Sequence, residues 1–134
     1  MKITAKFLDV NETATGGLVL WLNKGETQSP LVKKADKALD GHITQIIKDR
    51  DFAGNALETL SFDTLGQHPA KRILIIGLGE KADVTAETIR QASGKSATAM
   101  KQAGIKKYIS TLARAQVKQA TPAELAQAIA EGAL

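Results

Sequence analysis

Apolar and polar residues follow two different periods along this chain. Alternation with a period of two is typical of β-strands, and recurrence every three to four residues is typical of helices. Alternating segments and short continuous apolar runs predict strands over Lys2–Asp9, Leu18–Leu22, Glu58–Asp63, Lys71–Gly77 and Lys107–Leu112. The helical period predicts helices that begin near Ser29, Thr85 and Thr121. The polar cluster at 11–17 predicts a hairpin of the first two strands, with a crossover connection as the alternative.

Capping residues mark where the first helix begins. Ser29 suits an N-cap and Pro30 suits the first helical position, and apolar positions then recur as far as Arg50. One helix over this whole span contains Gly41, which costs about 1 kcal/mol against alanine in a helix interior. A bend or a close packing contact is therefore expected at Gly41.

The order of the predicted elements is strand, strand, helix, strand, strand, helix, strand, helix. This order predicts an α/β fold with a mixed sheet and helices on both of its faces. The length of 134 residues suits one domain. The last helix begins well, with a capping box at Thr121 and Glu124, but its apolar positions have no evident partner later in the chain. Those positions are Leu125, Ala128, Ile129 and Leu134. We therefore expect residues 1–134 to be one domain of a longer protein.

Composition removes several classes of function. The chain has no cysteine, which excludes disulfides, thiol catalysis and metal sites built on thiolates. The amino terminus is too polar for a signal peptide, and no apolar run approaches the roughly 18 residues of a membrane span. A cytoplasmic location and no membrane partner are the expectations that follow.

Positive charge is concentrated in one stretch of a chain whose formal net charge is +4. Seven basic residues and no acidic residue lie between Thr88 and Ala123. Such a stretch can attract polyanions, and it is also typical of an ordinary solvated surface. The candidate contacts to DNA or another anion are Lys101, Lys106, Lys107 and Lys118.

A glycine-rich turn is the strongest local candidate for a ligand site. The segment from Gly77 through Gly79 to Ala82 has the relaxed form G-x-G-x-x-A, between a predicted buried strand and a helix. In a nucleotide site such glycines let the backbone approach a pyrophosphate. Glu80 and Asp83 place negative charge at the turn, and the helix begins a few residues too late to support a phosphate. A structural turn is therefore favoured, with a bound ligand as the alternative.

The remaining polar residues form no recognisable catalytic pattern. His42 and His68 have no neighbour at the spacing of metal ligands, and the serines lack a nucleophile motif and an identifiable base. Trp21 and Tyr108 lie in predicted strands and are expected in the core. These residues by themselves assign no catalytic, cofactor or metal role.

Four segments taken together resemble the N-terminal domain of the leucyl aminopeptidase (cytosol aminopeptidase) family. They are Asp-Phe-Ala-Gly-Asn-Ala-Leu-Glu-Thr-Leu at 51–60, Lys-Arg-Ile-Leu-Ile-Ile-Gly-Leu-Gly at 71–79, the alanine-rich helix at 85–103 with Gly-Ile-Lys-Lys after it, and Ala-Glu-Gly-Ala-Leu at 130–134. The likeness runs through nearly the whole chain in order.

The resemblance implies a macro-domain-like three-layer α/β/α sandwich. It also implies a hexameric parent enzyme that removes N-terminal residues from peptides with two divalent metals, manganese or zinc. In the family, the metal ligands and catalytic residues belong to a C-terminal domain, whose Asn-Thr-Asp-Ala-Glu-Gly-Arg signature this sequence lacks. The resemblance therefore implies that this chain binds its own catalytic domain and serves assembly, active-site access or regulation. A DNA-binding element at 90–118 and a nucleotide- or ADP-ribose-binding module are the alternatives.

Overall fold

The computed structural model describes residues 14–26, 29–115, 117 and 120–133. The predicted strand Lys2–Asp9 and the residue Leu134 lie outside these ranges. The elements in chain order are β1 (Thr15–Leu22), α1 (Pro30–Ala38), α2 (His42–Asp49), β2 (Thr59–Asp63), β3 (Ala70–Gly77), α3 (Ala86–Gln102), β4 (Tyr108–Ser110) and α4 (Pro122–Ala133). Short 3-10 turns lie at Lys81–Asp83 and Leu112–Arg114. No helix in the described part of the chain is long and apolar enough to cross a membrane.

The described strands form one mixed sheet in the order β2-β3-β1-β4. β1 is parallel to β3, from Thr15 opposite Ala70 to Leu22 opposite Gly77, and it is also parallel to β4. β2 runs antiparallel to β3. β3 and β4 lie on the two edges of β1 over residues 17–19. The other strand of the predicted hairpin, Lys2–Asp9, lies outside the described residues, so the hairpin stays a prediction. The continuous apolar run of β1 fits its central position, which is covered on both faces.

Helices cover both faces of the sheet, which confirms the predicted three-layer α/β/α arrangement. Alternate residues of the central strands point into two separate cores. On one face, β-strand residues such as Leu20 and Ile75 pack against α1 and α2, including Ile43. On the other face, Val19 and Ile76 belong to the core that α3 and α4 complete.

The first predicted helix is two helices, so the prediction of a single helix over 29–50 is wrong. Gly41 has a φ of +82°, a left-handed conformation that ends one helix and precedes the next. The buried carboxylate of Asp36 on α1 accepts hydrogen bonds from the backbone N–H of Thr44 at 3.0 Å and from its hydroxyl at 2.6 Å. Asp36 thereby caps the first turn of α2 from the neighbouring helix.

The last helix packs against α3 within the described chain. Leu125 is buried in the second core, Ile129 packs against that core, and Ala128 is also buried. The hydroxyl of Ser93 on α3 donates to the carbonyl of Ile129 at 2.6 Å. The expectation that this apolar face lacks a partner is therefore wrong for these three residues. They pack against α3, which precedes α4 in the chain. The contact is made through small residues, which the apolar pattern of α4 does not predict.

Candidate functional site

The Gly77–Gly79 turn lies at the carboxyl ends of two adjacent parallel strands. β1 leads into helices on one face of the sheet, whereas β3 leads into α3 on the opposite face. Adjacent strands whose connections leave in opposite directions define a topological switch point. Open α/β sheets bind their ligands in the crevice at such a point. The turn therefore occupies the position where a ligand would be expected.

The backbone amides of this turn already have partners within the protein. The N–H of Gly77 donates to Glu58 O at 2.7 Å, that of Leu78 to Leu22 O at 3.0 Å, and that of Gly79 to Gly54 O at 3.0 Å. A phosphate-binding loop needs such donors free to point at its anion. The geometry therefore favours the structural turn over the nucleotide-binding alternative.

The connection between α2 and β2 packs directly against the turn. A Cβ atom added to Gly77 would overlap the carbonyl oxygen of Asn55 and lie 2.6 Å from the carbonyl carbon of Gly54. Gly79 has a φ of +77°, and its carbonyl accepts the backbone N–H of Lys24 at 2.9 Å. Close contact with the backbone of residues 54–55 therefore explains the glycine at 77, and a left-handed backbone conformation explains the glycine at 79.

The side chain of Glu58 stabilises the connection between α2 and β2 by hydrogen bonds. One oxygen of its carboxylate accepts hydrogen bonds from three successive backbone N–H groups, those of Ala53 at 3.1 Å, Gly54 at 3.0 Å and Asn55 at 3.1 Å. Successive amides that converge in this way form an anion-binding nest. Here the anion is a side chain of the same loop. Glu58 carries no local sequence signal for this role, because the role depends on the backbone conformation of 53–55, where Gly54 has a positive φ.

We expect Glu58→Ala to lower the free energy of unfolding by about 2 kcal/mol, because three backbone donors lose a charged acceptor. Urea denaturation of the variant and the wild type measures this difference. Glu80→Ala is the matched control, because Glu80 makes only a 3.9 Å ion pair with Lys24 between largely exposed side chains. We expect the control to change stability by less than about 0.5 kcal/mol. Equal effects of the two substitutions would contradict the role assigned to Glu58.

Helix α3 does not begin directly after the glycine turn. It begins at Ala86, beyond the 3-10 turn that follows Gly79. Thr85 and Thr88 form a capping box, in which the N–H of Thr88 donates to the hydroxyl of Thr85 at 3.3 Å and the N–H of Thr85 to the hydroxyl of Thr88 at 3.1 Å. The amino terminus of α3 is thus capped by its own side chains and separated from the glycine turn by the 3-10 turn.

Three of the four candidate anion contacts lie near one another in the chain and are exposed. Lys101 is in the last turn of α3, and Lys106 and Lys107 are in the connection to β4. A lysine in the last turn also stabilises the helix dipole, which is a structural role. Lys118 lies outside the described residues. Contact of these lysines with DNA stays a prediction.

Another basic residue of the stretch has an acidic partner nearby. The Nε of Arg90 donates to a carboxylate oxygen of Glu87 one turn earlier on α3, at 2.7 Å. This hydrogen bond lowers the pKa of Glu87 and raises the pKa of Arg90. Part of the positive charge that the sequence concentrates at 88–123 is thereby neutralised locally.

The histidines and aromatic residues occupy structural positions. His42 meets the ring of Phe62 edge-on, with ring centroids 5.8 Å apart. His68 is buried, its Nδ1 accepts the N–H of Ala70 at 3.0 Å, and burial lowers its pKa. Trp21 and Tyr108 pack against the second core, as expected, and burial raises the pKa of Tyr108. In the part of the chain that the structure describes, no group of three histidine, cysteine or acidic residues could hold a metal ion.

Comparison with known proteins connects this geometry to a family. The model of the cytosol aminopeptidase family, N-terminal domain, matches residues 19–134. A probable cytosol aminopeptidase of Geobacter sp. (strain M21) is 38% identical over 101 residues, which are 75% of this chain and 20% of the relative. The chain therefore spans about a fifth of the length of this relative.

Solved structures agree with the fold. The macrodomain of Mycobacterium tuberculosis DarG has a TM-score of 0.74 at 12% identity, covering 98% of this chain and 89% of that chain. The bottromycin maturation enzyme BotP in complex with Mn has a TM-score of 0.65 at 22% identity, covering 90% of this chain and 22% of the enzyme. Both likenesses confirm the macro-domain-like α/β fold, and one of them extends over an almost complete macrodomain.

Proposed function

Because the chain belongs to the cytosol aminopeptidase family, as its N-terminal domain, we propose that it is the non-catalytic part of a longer peptidase. The complete protein removes N-terminal residues from peptides, and a catalytic domain that follows residue 134 carries out the hydrolysis. The match of the family model to residues 19–134, together with the relative of which the chain spans only a fifth, supports this proposal.

The two divalent metals, manganese or zinc, belong in the catalytic domain of this proposal. Such ions need several carboxylate or imidazole ligands close together. The described residues of this chain do not fit that requirement, because they contain no group of three metal-ligating side chains. We therefore assign no metal ligand and no step of hydrolysis to this chain.

The glycine turn, whose amides already have partners within the chain, is the single observation that carries the proposed role of this domain. The chain has a macro-domain-like fold, but residues 54–57 pack against its Gly77–Gly79 turn, and the amides of that turn donate to backbone carbonyls of the same chain. A domain whose turn amides are already hydrogen-bonded within the chain is suited to contact other protein surfaces rather than to bind a phosphate there. Assembly of the protein, in the cytoplasm and as a hexamer, and control of access to the active site are the roles we propose.

A peptidase assay on two forms of the protein tests this proposal. We expect the 134-residue chain to hydrolyse no L-leucine p-nitroanilide with Mn²⁺ or Zn²⁺, and the complete polypeptide encoded by the gene to hydrolyse it. Turnover by the short chain would overturn its non-catalytic assignment, and an inactive complete polypeptide would overturn the proposed parent activity. Calorimetric titration of the short chain with ADP-ribose is the companion measurement. Micromolar affinity would contradict the conclusion that the Gly77–Gly79 turn is structural.

A further inference from the structure

The outer edge of β2 presents backbone groups that the described sheet does not use. β2 is the terminal strand of the order β2-β3-β1-β4. Its pairing with β3 includes the hydrogen bond from Thr64 N–H to Lys71 O at 3.0 Å. Because the backbone groups of an antiparallel strand point alternately to its two edges, the even-numbered residues of β2 bond to β3. The N–H and C=O groups of Thr59, Ser61 and Asp63 therefore point outward, where no backbone group of the described chain pairs with them.

This edge lacks the features that usually protect an edge strand. Proteins prevent unwanted pairing at such an edge with a proline, a lysine or a β-bulge. The sequence of β2, Thr-Leu-Ser-Phe-Asp, contains neither residue type. Its register with β3 is continuous from Thr59 opposite Ile76 to Asp63 opposite Arg72, without a bulge. The edge is therefore open to an added strand.

A groove of about 310 Å³ lies beside this edge. Leu60 and Phe62 point into the first core, so Thr59 and Ser61 point to the opposite face, which α3 covers. The groove is lined by Thr59 and by one stripe of α3, namely Gly94, Lys95, Thr98, Ala99 and Gln102. A strand added to β2 would place every second side chain on this face of the sheet. The groove provides room for such a side chain.

The charge of the groove favours an acidic side chain. Lys95 is the charged residue that lines it, and no described carboxylate forms an ion pair with Lys95. On the same face, the Nε of half-buried Arg72 donates to Ser61 Oγ at 3.0 Å. The carboxylate of Asp63, at the end of β2, accepts the N–H of Leu65 in the following turn. A carboxylate placed in the groove would thus meet positive charge that has no acidic partner there.

We propose that the outer edge of β2 binds an extended acidic segment of a partner protein, which joins the sheet as an added strand. Backbone hydrogen bonds to Thr59, Ser61 and Asp63 supply affinity in this mode of binding, and a pocket for alternate side chains supplies specificity. Lys95 is the residue that selects the acidic side chain. The inference does not depend on the proposed peptidase function.

Calorimetric titration of the complete protein with two synthetic peptides tests this site. The first probe is acetyl-Val-Glu-Val-Glu-Val-amide, and the second has lysine in place of both glutamates. We expect the glutamate probe to bind at least about tenfold more tightly than the lysine probe, because like charges at an interface oppose binding. The acetyl group removes the free amino terminus that an aminopeptidase requires, so peptidase activity does not affect the result.

Substitutions in the strand and in the groove locate the binding. Ser61→Pro removes an outward N–H but no hydrogen bond to β3, and it should abolish binding of the glutamate probe. Ser61→Ala keeps that N–H and should bind as the wild type does. Lys95→Glu should weaken binding at least about tenfold. Lys101→Glu makes the same charge change at an exposed position of α3 outside the groove, and it should change binding less than about twofold.

N-methylated probes give the same information without a change in the protein. One carries N-methyl groups on both glutamates, and the other carries one on the central valine. Only one of these two probes should retain binding, because only alternate N–H groups of an added strand face β2. This comparison remains decisive if Ser61→Pro does not fold.

Three results would each overturn the proposal. The first is no saturable binding of the glutamate probe at about 1 mM, a result that an edge already occupied by a second copy or by residues 1–13 would also give. The second is equal binding of the two methylated probes, or binding that persists in a folded Ser61→Pro variant, since neither is compatible with an added strand. The third is equal binding of the glutamate and lysine probes, which would exclude selection by Lys95.

Discussion

Gly77→Ala is expected to lower the free energy of unfolding by about 3 kcal/mol, because overpacking against backbone cannot be relieved by a side-chain rotation. The new Cβ would overlap the carbonyl oxygen of Asn55 and lie within 2.8 Å of that of Gly54. Relief would require the 53–57 connection to move, and with it the hydrogen bond from Leu57 N–H to Gly77 O at 2.8 Å. Urea denaturation followed by circular dichroism measures the loss.

Gly25→Ala is the matched control for this prediction. Gly25 has a φ of +81°, but no atom lies within 4 Å of the position of an added Cβ. Its replacement should therefore cost only the backbone strain of a left-handed residue, about 1 kcal/mol. If Gly77→Ala is no more destabilising than this control, the close contact of Gly77 with the backbone of Gly54 and Asn55 is contradicted.

Gly132→Leu is expected to release α4 from α3 and to lower the free energy of unfolding by about 2–3 kcal/mol. A Cβ at Gly132 would overlap the carbonyl oxygen of Arg90, and its backbone also lies against Gly94. Leucine is a better helix former than glycine by almost 1 kcal/mol, so helix propensity alone predicts the opposite sign. Amide hydrogen exchange should become faster throughout Pro122–Ala133 if the helix undocks.

Ala126→Leu provides the comparison on the same helix. Ala126 is exposed, so the same increase in side-chain volume meets no packed neighbour. Its effect should lie within about 0.5 kcal/mol of zero. Fast exchange of α4 in both variants, or in neither, would contradict the backbone contact between the two helices.

Elements with strong local signals could be predicted from the sequence. The capped helix α3 and the apolar strand β3 lie within a residue of their predicted bounds. The prediction of a single helix over 29–50 is wrong because Gly41 adopts a left-handed conformation, which interrupts the helix rather than bending it. Asp36 on α1 then accepts the N–H of Thr44 in the first turn of α2. The pairing partners of β1 are β3 and β4, which are distant in sequence. The apolar pattern of β1 predicts that it is buried but does not identify its partners.

Part of the candidate site could be predicted from local sequence, and part depends on long-range contacts. That Gly77–Gly79 forms a turn follows from local sequence, because a strand and a helix must be joined there. That residues 54–57 pack against this turn follows from contacts across more than 20 positions of the chain, such as Gly79 N–H to Gly54 O. The convergence of three amides on Glu58 depends on backbone angles. Long-range approach and dihedral geometry are therefore what sequence patterns could not supply.

The cap that Asp36 places on α2 has a kinetic consequence. The first turn of a helix is the costly step of its formation, and here one of its hydrogen-bond acceptors belongs to the preceding helix. We therefore expect isolated α2 to nucleate poorly and to become ordered only when α1 packs beside it. The two helices then form and open as one cooperative unit, and a probe on either should report the same relaxation rate.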